Sequence, residues 1–136
     1  MSQVHCAIKA LIKKEDKFLI VNINVQGEEF WDLPGGKVDF GESPYETLHR
    51  EIKEEIDLKA KIIKPLGMWW FFRKVDGDQV VCNTFLCEPE GYDVDISKNP
   101  DTEKITKFKW ITKEEFLSDE CKVAHKSFKE FISKVI

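Results

Sequence analysis

Residues 36–58 read GKVDFGESPYETLHREIKEEIDL and combine a marked helix start with a high density of glutamate. Ser43 suits the N-cap position, Pro44 suits the first helical position, and Glu46 completes a capping box three residues after the cap. These features predict a helix over residues 44–57. The spacing of its side chains then decides which face packs on the fold and which face is presented to a ligand.

At about 100° per residue, the predicted helix has an apolar face beside an acidic face. Like charges at this spacing repel one another by a few tenths of a kcal/mol each, so the acidic face is unfavourable unless a cation neutralises it. Mg²⁺ or Mn²⁺ prefers such oxygen ligands, but a solvated glutamate-rich helix would have the same spacing. The apolar face comprises Tyr45, Leu48, Ile52 and Ile56, and the acidic face comprises Glu51, Glu54 and Glu55.

The stretch resembles the Nudix box of the Nudix hydrolase family, G-x5-E-x7-R-E-U-x-E-E-x-G-U, in which U is a bulky aliphatic residue. Eight of the nine defined positions match, and WDLPGG at residues 31–36 leads into the box as in the family. Asp57 replaces the second glycine, and because aspartate enters the left-handed conformation less readily, the turn after the helix is in doubt. The matching residues are Gly36, Glu42, Arg50, Glu51, Ile52, Glu54, Glu55 and Leu58.

This resemblance implies a single domain over residues 1–136 with an α/β/α sandwich built on a mixed β-sheet. It also implies Mg²⁺-dependent hydrolysis of a nucleoside diphosphate linked to another group X, with Mn²⁺ as a possible substitute. The ligands implied for the metal are the side chains of Glu51, Glu54 and Glu55 and the backbone carbonyl of Gly36.

Two further residues of the box are expected to support these ligands. The resemblance implies that Arg50 pairs with the glutamates of the box and orients one of them, although it could be an ordinary surface arginine of the helix. Glu42 is expected to assist the metal ligands indirectly, although it could serve only the start of the helix.

The general base is open among several carboxylates. Glu54 or Glu55 could act through a metal-bound water, whereas Glu103 lies in a loop position where related sequences often carry an acid. Glu103 could equally be a solvated loop residue, and Asp101 is a weaker candidate.

The rest of the chain predicts strands joined by short turns, followed by two helices. Residues 4–13 and 17–25 alternate apolar and polar side chains on either side of a charged break, which indicates a hairpin. A capping box at Thr112 and Glu115 predicts a short helix, and Val123, Phe128, Phe131, Ile132 and Val135 have the spacing of a last helix. Further predicted strands are residues 59–75, 79–90 and 105–111.

Substrate contacts are expected from aromatic and basic side chains near the box. In GMWWFF, residues 67–72, alternate side chains point to opposite faces, so one aromatic pair can fill the core while the other lines a pocket for a base. Both pairs could instead be packing residues, and Lys37 could be solvated instead of contacting a phosphate. The expected substrate contacts are Trp31, Lys37, Trp70 and Phe72.

Composition limits the partners. With 136 residues, 42% of them hydrophobic, the chain can form one domain with a core, and a net charge of −4 provides no field for a nucleic acid polymer or an anionic membrane. No apolar stretch approaches a membrane span, and the four cysteines show no metal-binding spacing, so we expect reduced thiols and a cytoplasmic location. We expect a monomer or homodimer acting on a small nucleotide.

Three functions remain open from the sequence. A (deoxy)nucleoside triphosphate is the first candidate substrate, because a short chain favours small nucleotides. Residues 109–128 loosely resemble the tail of the GDP-mannose branch of the family, which makes a nucleotide sugar the second candidate. A nucleotide-binding sensor without turnover is the third, although the complete set of glutamates argues against it.

Overall fold

A computed structural model describes residues 1–99 and 105–136 of the chain. In that part of the chain, seven strands and three helices are found. They are β1 (Val4–Lys14), β2 (Lys17–Val25), β3 (Glu28–Asp32), β4 (Gly35–Lys37), α1 (Pro44–Ile56), β5 (Ala60–Phe72), β6 (Gln79–Pro89), β7 (Ile105–Thr112), α2 (Lys113–Leu117) and α3 (Lys126–Val135).

The first strand organises the sheet because it pairs with three others. The predicted turn between β1 and β2 is present, but only Lys13 and Lys14 of β1 pair with β2. The preceding part of β1 runs parallel to β6 and antiparallel to β4. Residues 7–12 are therefore buried on both faces, which corrects the expected alternation of a half-exposed hairpin.

The mixed sheet is covered by helices on both faces, as an α/β/α sandwich requires. Its main strand order is β3-β2-β1-β6-β5, while β4 pairs with β1 and β7 pairs with β2. Helix α1 packs into one apolar core with Leu19 and Cys87, and α2 and α3 pack into the other with Phe18 and Cys82. The odd spacing of Cys82 and Cys87 thus places them on opposite faces of β6.

Burial makes most of the thiols unreactive. Cys82, Cys87 and Cys121 are buried, Cys6 is exposed, and all are free thiols. Burial raises the pKa of Cys82 and that of Cys87 to about 12, so neither thiol forms a thiolate near neutral pH.

The predicted start of α1 is confirmed. Ser43 accepts a hydrogen bond from the backbone N–H of Glu46, and the Glu46 carboxylate accepts one from the Ser43 N–H, both at 3.1 Å. The apolar face is buried as predicted at Leu48, Ile52 and Ile56. Tyr45 is the exception: it lies in the first turn, where its exposed ring reaches Phe85 of β6 at 5.8 Å between centroids instead of entering the core.

Asp57 ends α1 without a glycine. It adopts the left-handed conformation with φ 53° and ψ 40°, and its N–H donates to the Lys53 carbonyl. Its carboxylate accepts hydrogen bonds from Lys53 at 2.6 Å and from Lys98 at 3.3 Å. The helix therefore stops at Ile56, and the turn that the missing glycine put in doubt is formed by a residue whose charge is paired.

The C-terminal third follows the sequence prediction closely. The short helix α2 has the predicted capping box, and Trp69 of β5 stacks on Phe128 of α3 with ring centroids 4.0 Å apart. Val123 was expected in the last helix but lies before it and forms a bridge with Trp31. Among residues 1–99 and 105–136, no helix has the length and apolar character that crossing a membrane requires.

Candidate functional site

The acidic face of α1 lies at the edge of the core. Glu51 and Glu55 are only 7% and 3% exposed, because they sit next to the buried residues Ile52 and Ile56. The Glu54 side chain is 38% exposed and faces solvent. The three carboxylates predicted as ligands therefore share one side of one helix, two of them shielded from water.

Arg50 links these carboxylates. Its Nη1 donates to Glu51 at 3.0 Å and to Glu54 at 3.2 Å. Its Nε and Nη2 donate to the two oxygens of Glu42 at 2.8 and 3.0 Å, and Nη2 also donates to Asp39 at 3.2 Å. The guanidinium thus offsets the repulsion that the helix spacing imposes on the glutamates.

Glu42 holds Arg50 in this position. The hydrogen bonds from Arg50 and from the Thr47 hydroxyl lower the pKa of Glu42 to about 2. Glu42 in turn raises the pKa of Arg50 above its ordinary value, although partial burial acts the other way. In this geometry Glu42 contacts Arg50 and Thr47, and its expected role of assisting the metal ligands stays a prediction.

Two glycines bring the backbone of β4 against the acidic face. The Gly35 N–H donates to Glu55 Oε1 at 2.7 Å. Gly35 has φ +140°, and a Cβ there would lie 2.0 Å from the Ile8 carbonyl oxygen. A Cβ on Gly36 would lie 2.5 Å from Glu51 Cδ, so only glycine lets that carboxylate approach the backbone.

A pocket of about 500 Å³ opens between the ends of β2, β3 and β5. Aromatic rings form much of its wall, and one acidic residue, Asp32, also lines it. Of the residues predicted as substrate contacts, Phe72 and Trp31 line the pocket, whereas Trp70 is absent from its wall. Trp70 instead lies near His125, with ring centroids 5.6 Å apart.

Lysines surround the aromatic residues of β3. Lys107 and Lys109 lie 5.8 and 5.1 Å from the centroid of the Trp31 ring. Lys74 and Lys122 lie 5.1 and 4.9 Å from the centroid of the Phe30 ring. Lys74 and Lys122 are also paired with Glu28, and Lys107 with Glu29, so this side of the molecule combines stacking surfaces with lysines whose charge is largely balanced by glutamates.

The expected phosphate contact, Lys37, is exposed at the end of β4 directly after Gly36. Glu103 and Asp101, the loop candidates for the base, lie outside the described residues, so their expected role stays a prediction.

Comparison with known protein families decides the classification. The family model described as NUDIX domain matches residues 4–133, nearly the whole chain. The chain belongs to the Nudix domain family. The Nudix box is therefore the segment that forms the end of β4, the loop after it, and α1.

Individual relatives agree with this family. The chain is 33% identical over 114 residues to Nudix hydrolase 6 of Arabidopsis thaliana, a match that covers 79% of this chain and 38% of that protein. It is 30% identical over 61 residues to Phosphatase NudJ of Escherichia coli, covering 45% of this chain and 40% of the relative. The chain thus spans about two fifths of the length of these curated relatives.

The fold is shared with solved Nudix structures. The MutT protein of Methanosarcina mazei Go1 superimposes with a TM-score of 0.81 at 23% identity, covering 98% of this chain and 94% of the other. At that identity the similarity concerns the fold alone, which is the mixed α/β arrangement described above.

The residues of the Nudix box fit a divalent cation in their chemistry. Nudix proteins generally use metals such as Mg²⁺, and the three carboxylates and the Gly36 carbonyl offer only oxygen, the donor that Mg²⁺ prefers. Within residues 1–99 and 105–136, however, no three Asp, Glu, His or Cys side chains are already gathered around one point. Glu51 and Glu54 are bonded to Arg50, and Glu55 is bonded to Gly35, which accounts for their separation.

Sequence reasoning missed Lys9 and Asp32. Lys9 Nζ donates to Asp32 Oδ2 at 2.9 Å, and both residues are buried. The available signal was a lone lysine within the apolar stretch of β1, since a buried lysine needs a counter-charge.

Proposed function

We propose that the protein is a divalent-metal-dependent pyrophosphohydrolase that cleaves a nucleoside diphosphate linked to a group X, with a (deoxy)nucleoside triphosphate as its substrate. The observation that carries this proposal is the acidic face of α1, which is bonded to the Gly35 backbone through Glu55 and to Arg50 through Glu51 and Glu54. Three oxygen-bearing side chains and an adjacent carbonyl at one edge of the core are suited to Mg²⁺ and to a phosphate group.

Each residue has a stated role in this proposal. Glu51, Glu54 and Glu55, with the Gly36 carbonyl, would hold Mg²⁺, or Mn²⁺ in its place. Mg²⁺, when bound, supplies positive charge that offsets the charge of the pyrophosphate group and of the transition state. Arg50 orients Glu51, and Glu42 orients Arg50.

A carboxylate must also take a proton from the attacking water. Glu54, Glu55 and Glu103 are the candidates for this base, and Asp101 is a weaker one.

The aromatic pocket supports a nucleotide as the ligand. Trp31 and Phe72 offer faces on which a base can stack, and the lysines near Trp31 and Phe30 can contact phosphates. Lys37 follows Gly36 directly and is assigned to the phosphate chain. Trp70 does not line this pocket, and its expected contact with a substrate stays a prediction.

A nucleotide sugar is the second candidate substrate. The observation in its favour is that the segment resembling the GDP-mannose branch reaches the pocket: Val123 forms a bridge with Trp31, and Ala124 lines the wall. A sensor without turnover remains the third reading, and the intact set of glutamates opposes it.

We further propose that the protein acts in the cytoplasm, as a monomer or homodimer, on small nucleotides and without a nucleic acid polymer. The buried free thiols support a reducing compartment.

The test is a substrate screen in saturating Mg²⁺ that measures phosphate, pyrophosphate and sugar release separately. A nucleoside triphosphate should give the largest kcat/KM, and EDTA should abolish turnover. Larger kcat/KM for a nucleotide sugar would select the second candidate. Binding of nucleotides without any release would select the sensor.

A further inference from the structure

Lys9 is a buried charge in the central strand of the fold. It is 5% exposed and lies between the core residues Ile8 and Ala10. Burial by itself would lower the pKa of Lys9, but the surrounding groups, of which Asp32 acts most strongly, together outweigh burial and raise it, and the Asp32 carboxylate lies 2.9 Å from Nζ. The ammonium group is therefore charged inside the protein, where removing an ion pair from water carries a large desolvation penalty.

The ion pair of Lys9 and Asp32 holds the turn between β3 and β4. Lys9 Nζ donates to Asp32 Oδ2 at 2.9 Å and reaches the Leu33 carbonyl oxygen at 3.4 Å. Asp32 Oδ1 accepts from the Leu33 N–H at 2.7 Å. The Ala10 N–H donates to the Pro34 carbonyl at 2.8 Å. Strand β1 therefore bonds the turn through both the Lys9 side chain and the Ala10 backbone.

The same turn leads directly to the proposed metal ligands. Gly35 pairs with Lys9 across the β1–β4 ladder, and its N–H donates to Glu55 Oε1 at 2.7 Å. Gly36 follows, against the Glu51 carboxylate. Lys9 itself interacts electrostatically with Glu55. A displacement of the turn would therefore move both the Glu55 carboxylate and the Gly36 carbonyl.

We propose that Lys9 is a positioning residue of the metal site, which through its ion pair with Asp32 fixes the turn that orients Glu55 and the Gly36 carbonyl. The proposal rests on the proposed function, in which those two residues hold Mg²⁺. A buried ion pair with only a structural role can often be replaced by apolar side chains without loss of stability. A pair that positions ligands cannot be replaced without weakening metal binding.

The experiment compares the wild-type protein with the Lys9→Met/Asp32→Leu double variant, which removes both charges and leaves neither partner buried alone. Urea unfolding measures stability, and isothermal titration calorimetry with MgCl₂ measures binding without turnover. We expect cooperative unfolding with a midpoint close to that of the wild type. The Kd for Mg²⁺ should rise by about 10- to 100-fold, the cost of losing a residue that orients a ligand.

The matched control is His5→Gln/Asp78→Asn, which removes another polar contact of β1, the hydrogen bond between His5 and Asp78, four residues before the Lys9 position that pairs with Gly35. Its Kd for Mg²⁺ should equal that of the wild type. An unchanged Kd in the folded Lys9→Met/Asp32→Leu protein, or an equal rise in the control, would overturn the proposal.

A neutral variant keeps the test decisive if the apolar pair does not fold. Lys9→Gln/Asp32→Asn retains similar shapes and removes the charges, and it should show the same rise in Kd. If neither double variant folds, the pair serves the fold alone and the proposal fails. A wild type that binds Mg²⁺ but releases nothing in the substrate screen contradicts only the proposed function, whereas one that binds no Mg²⁺ contradicts both.

Discussion

Arg50 is the residue on which the arrangement of the acidic face depends. Its guanidinium donates hydrogen bonds to the carboxylates of Asp39, Glu42, Glu51 and Glu54. A planar fork with several N–H donors can serve these oxygens together, whereas the single ammonium of a lysine cannot. Glu51 and Glu54 are therefore bonded to one fixed positive charge within the protein, whereas Glu55 is bonded to Gly35.

The first prediction concerns the glutamates themselves. Glu51→Gln, Glu54→Gln and Glu55→Gln each remove a negative charge that would hold Mg²⁺, so each should lower kcat and raise the Mg²⁺ concentration needed for half-maximal rate. Steady-state kinetics over a range of Mg²⁺ concentrations measures both. Glu130→Gln, on the exposed side of α3, is the control and should change neither. An unaltered Mg²⁺ requirement in all three variants would remove these residues from the ligand set.

The second prediction concerns Glu103 and remains a prediction from the sequence. If Glu103 takes the proton from the attacking water, Glu103→Gln should lower kcat by about 10²- to 10⁴-fold and leave the Mg²⁺ requirement nearly unchanged. The acid limb of the pH–rate profile should also change. Glu130→Gln, on the exposed side of α3, is again the control and should change neither quantity. Near-normal kcat in Glu103→Gln would direct the search for the base to Glu54, Glu55 and Asp101.

At the scale of the element, two opposing influences act on Asp57, which ends α1: its left-handed backbone conformation and the pairing of its charge. Asp57 adopts φ 53°, which favours glycine, but its carboxylate is bonded to Lys53 and Lys98. Those bonds lower the pKa of Asp57 below its ordinary value. The end of the helix thus depends on the charge pairing of Asp57, whereas the Nudix box has a glycine there, whose backbone adopts this conformation freely.

The third prediction separates these two influences. Asp57→Gly and Asp57→Ala both lose the ion pairs, but only glycine adopts the left-handed conformation without steric cost, so Asp57→Gly should have the higher urea midpoint. Asp57→Asn tolerates the conformation and isolates the effect of the charge. Equal midpoints for the glycine and alanine variants would show that φ at this position does not limit stability.

The fourth prediction concerns the pairing of β1 with β6. Asp78, just before β6, is bonded to His5 at 2.7 Å and to the Gln3 N–H at 3.0 Å, and these bonds lower the pKa of Asp78. A carboxyl whose pKa is lower in the folded state contributes stability above its unfolded pKa of about 3.9 and loses it as the pH falls through the folded value.

We therefore expect the free energy of unfolding to fall on acidification more steeply in the wild type than in Asp78→Asn. Urea unfolding at a series of pH values from about 6 to 2 measures this slope, since the contribution is lost in that window. Asp119→Asn, an exposed site, is the control and should follow the wild type. Identical slopes for Asp78→Asn and the wild type would show that the hydrogen bonds of Asp78 do not stabilise the fold.

At the scale of the whole molecule, the metal site proposed on the acidic face of α1 would couple Mg²⁺ binding to stability. Glutamates gathered by folding bind Mg²⁺ better than the same residues in an unfolded chain, so Mg²⁺ should stabilise the native state. The fifth prediction is that millimolar Mg²⁺ raises Tm and that the rise is smaller in Glu54→Gln. Differential scanning calorimetry with and without MgCl₂ measures it. A rise of equal size in both proteins would place the effect of Mg²⁺ elsewhere.

Local features of the molecule could be predicted wherever neighbouring residues determine them. The capping box of Ser43 and Glu46 involves residues three apart, and the buried face of α1 follows from its period. The predicted burial of Tyr45 was wrong, because the position of the sheet edge relative to the first turn of α1 cannot be derived from helical spacing. The partial pairing of β1 with β2 was missed for a similar reason, since β6 and β4 compete for the same strand.

The candidate site, like the fold, was predictable where its residues are close in sequence and not where they are distant. Its carboxylates and glycines lie within one short stretch of the sequence, and the match to the Nudix box predicted Arg50, Glu51, Glu54, Glu55 and Gly36 as site residues before any coordinates. The hydrogen bonds of Arg50 could be anticipated because its partners lie within eleven residues of it along the chain. The pocket could be anticipated only in part, because it joins the ends of three strands that are distant in sequence.

The sequence by itself determined the family, the helix that carries the acidic face, and the carboxylate chemistry of that face, because local spacing and capping specify these. Only the tertiary structure decided that Lys9 meets Asp32 beneath the β3–β4 turn, that Trp31 and Phe72 share a pocket, and that Trp70 does not join them. Such contacts depend on which strands pair and how the sheet twists, and these are set by the burial of the whole chain.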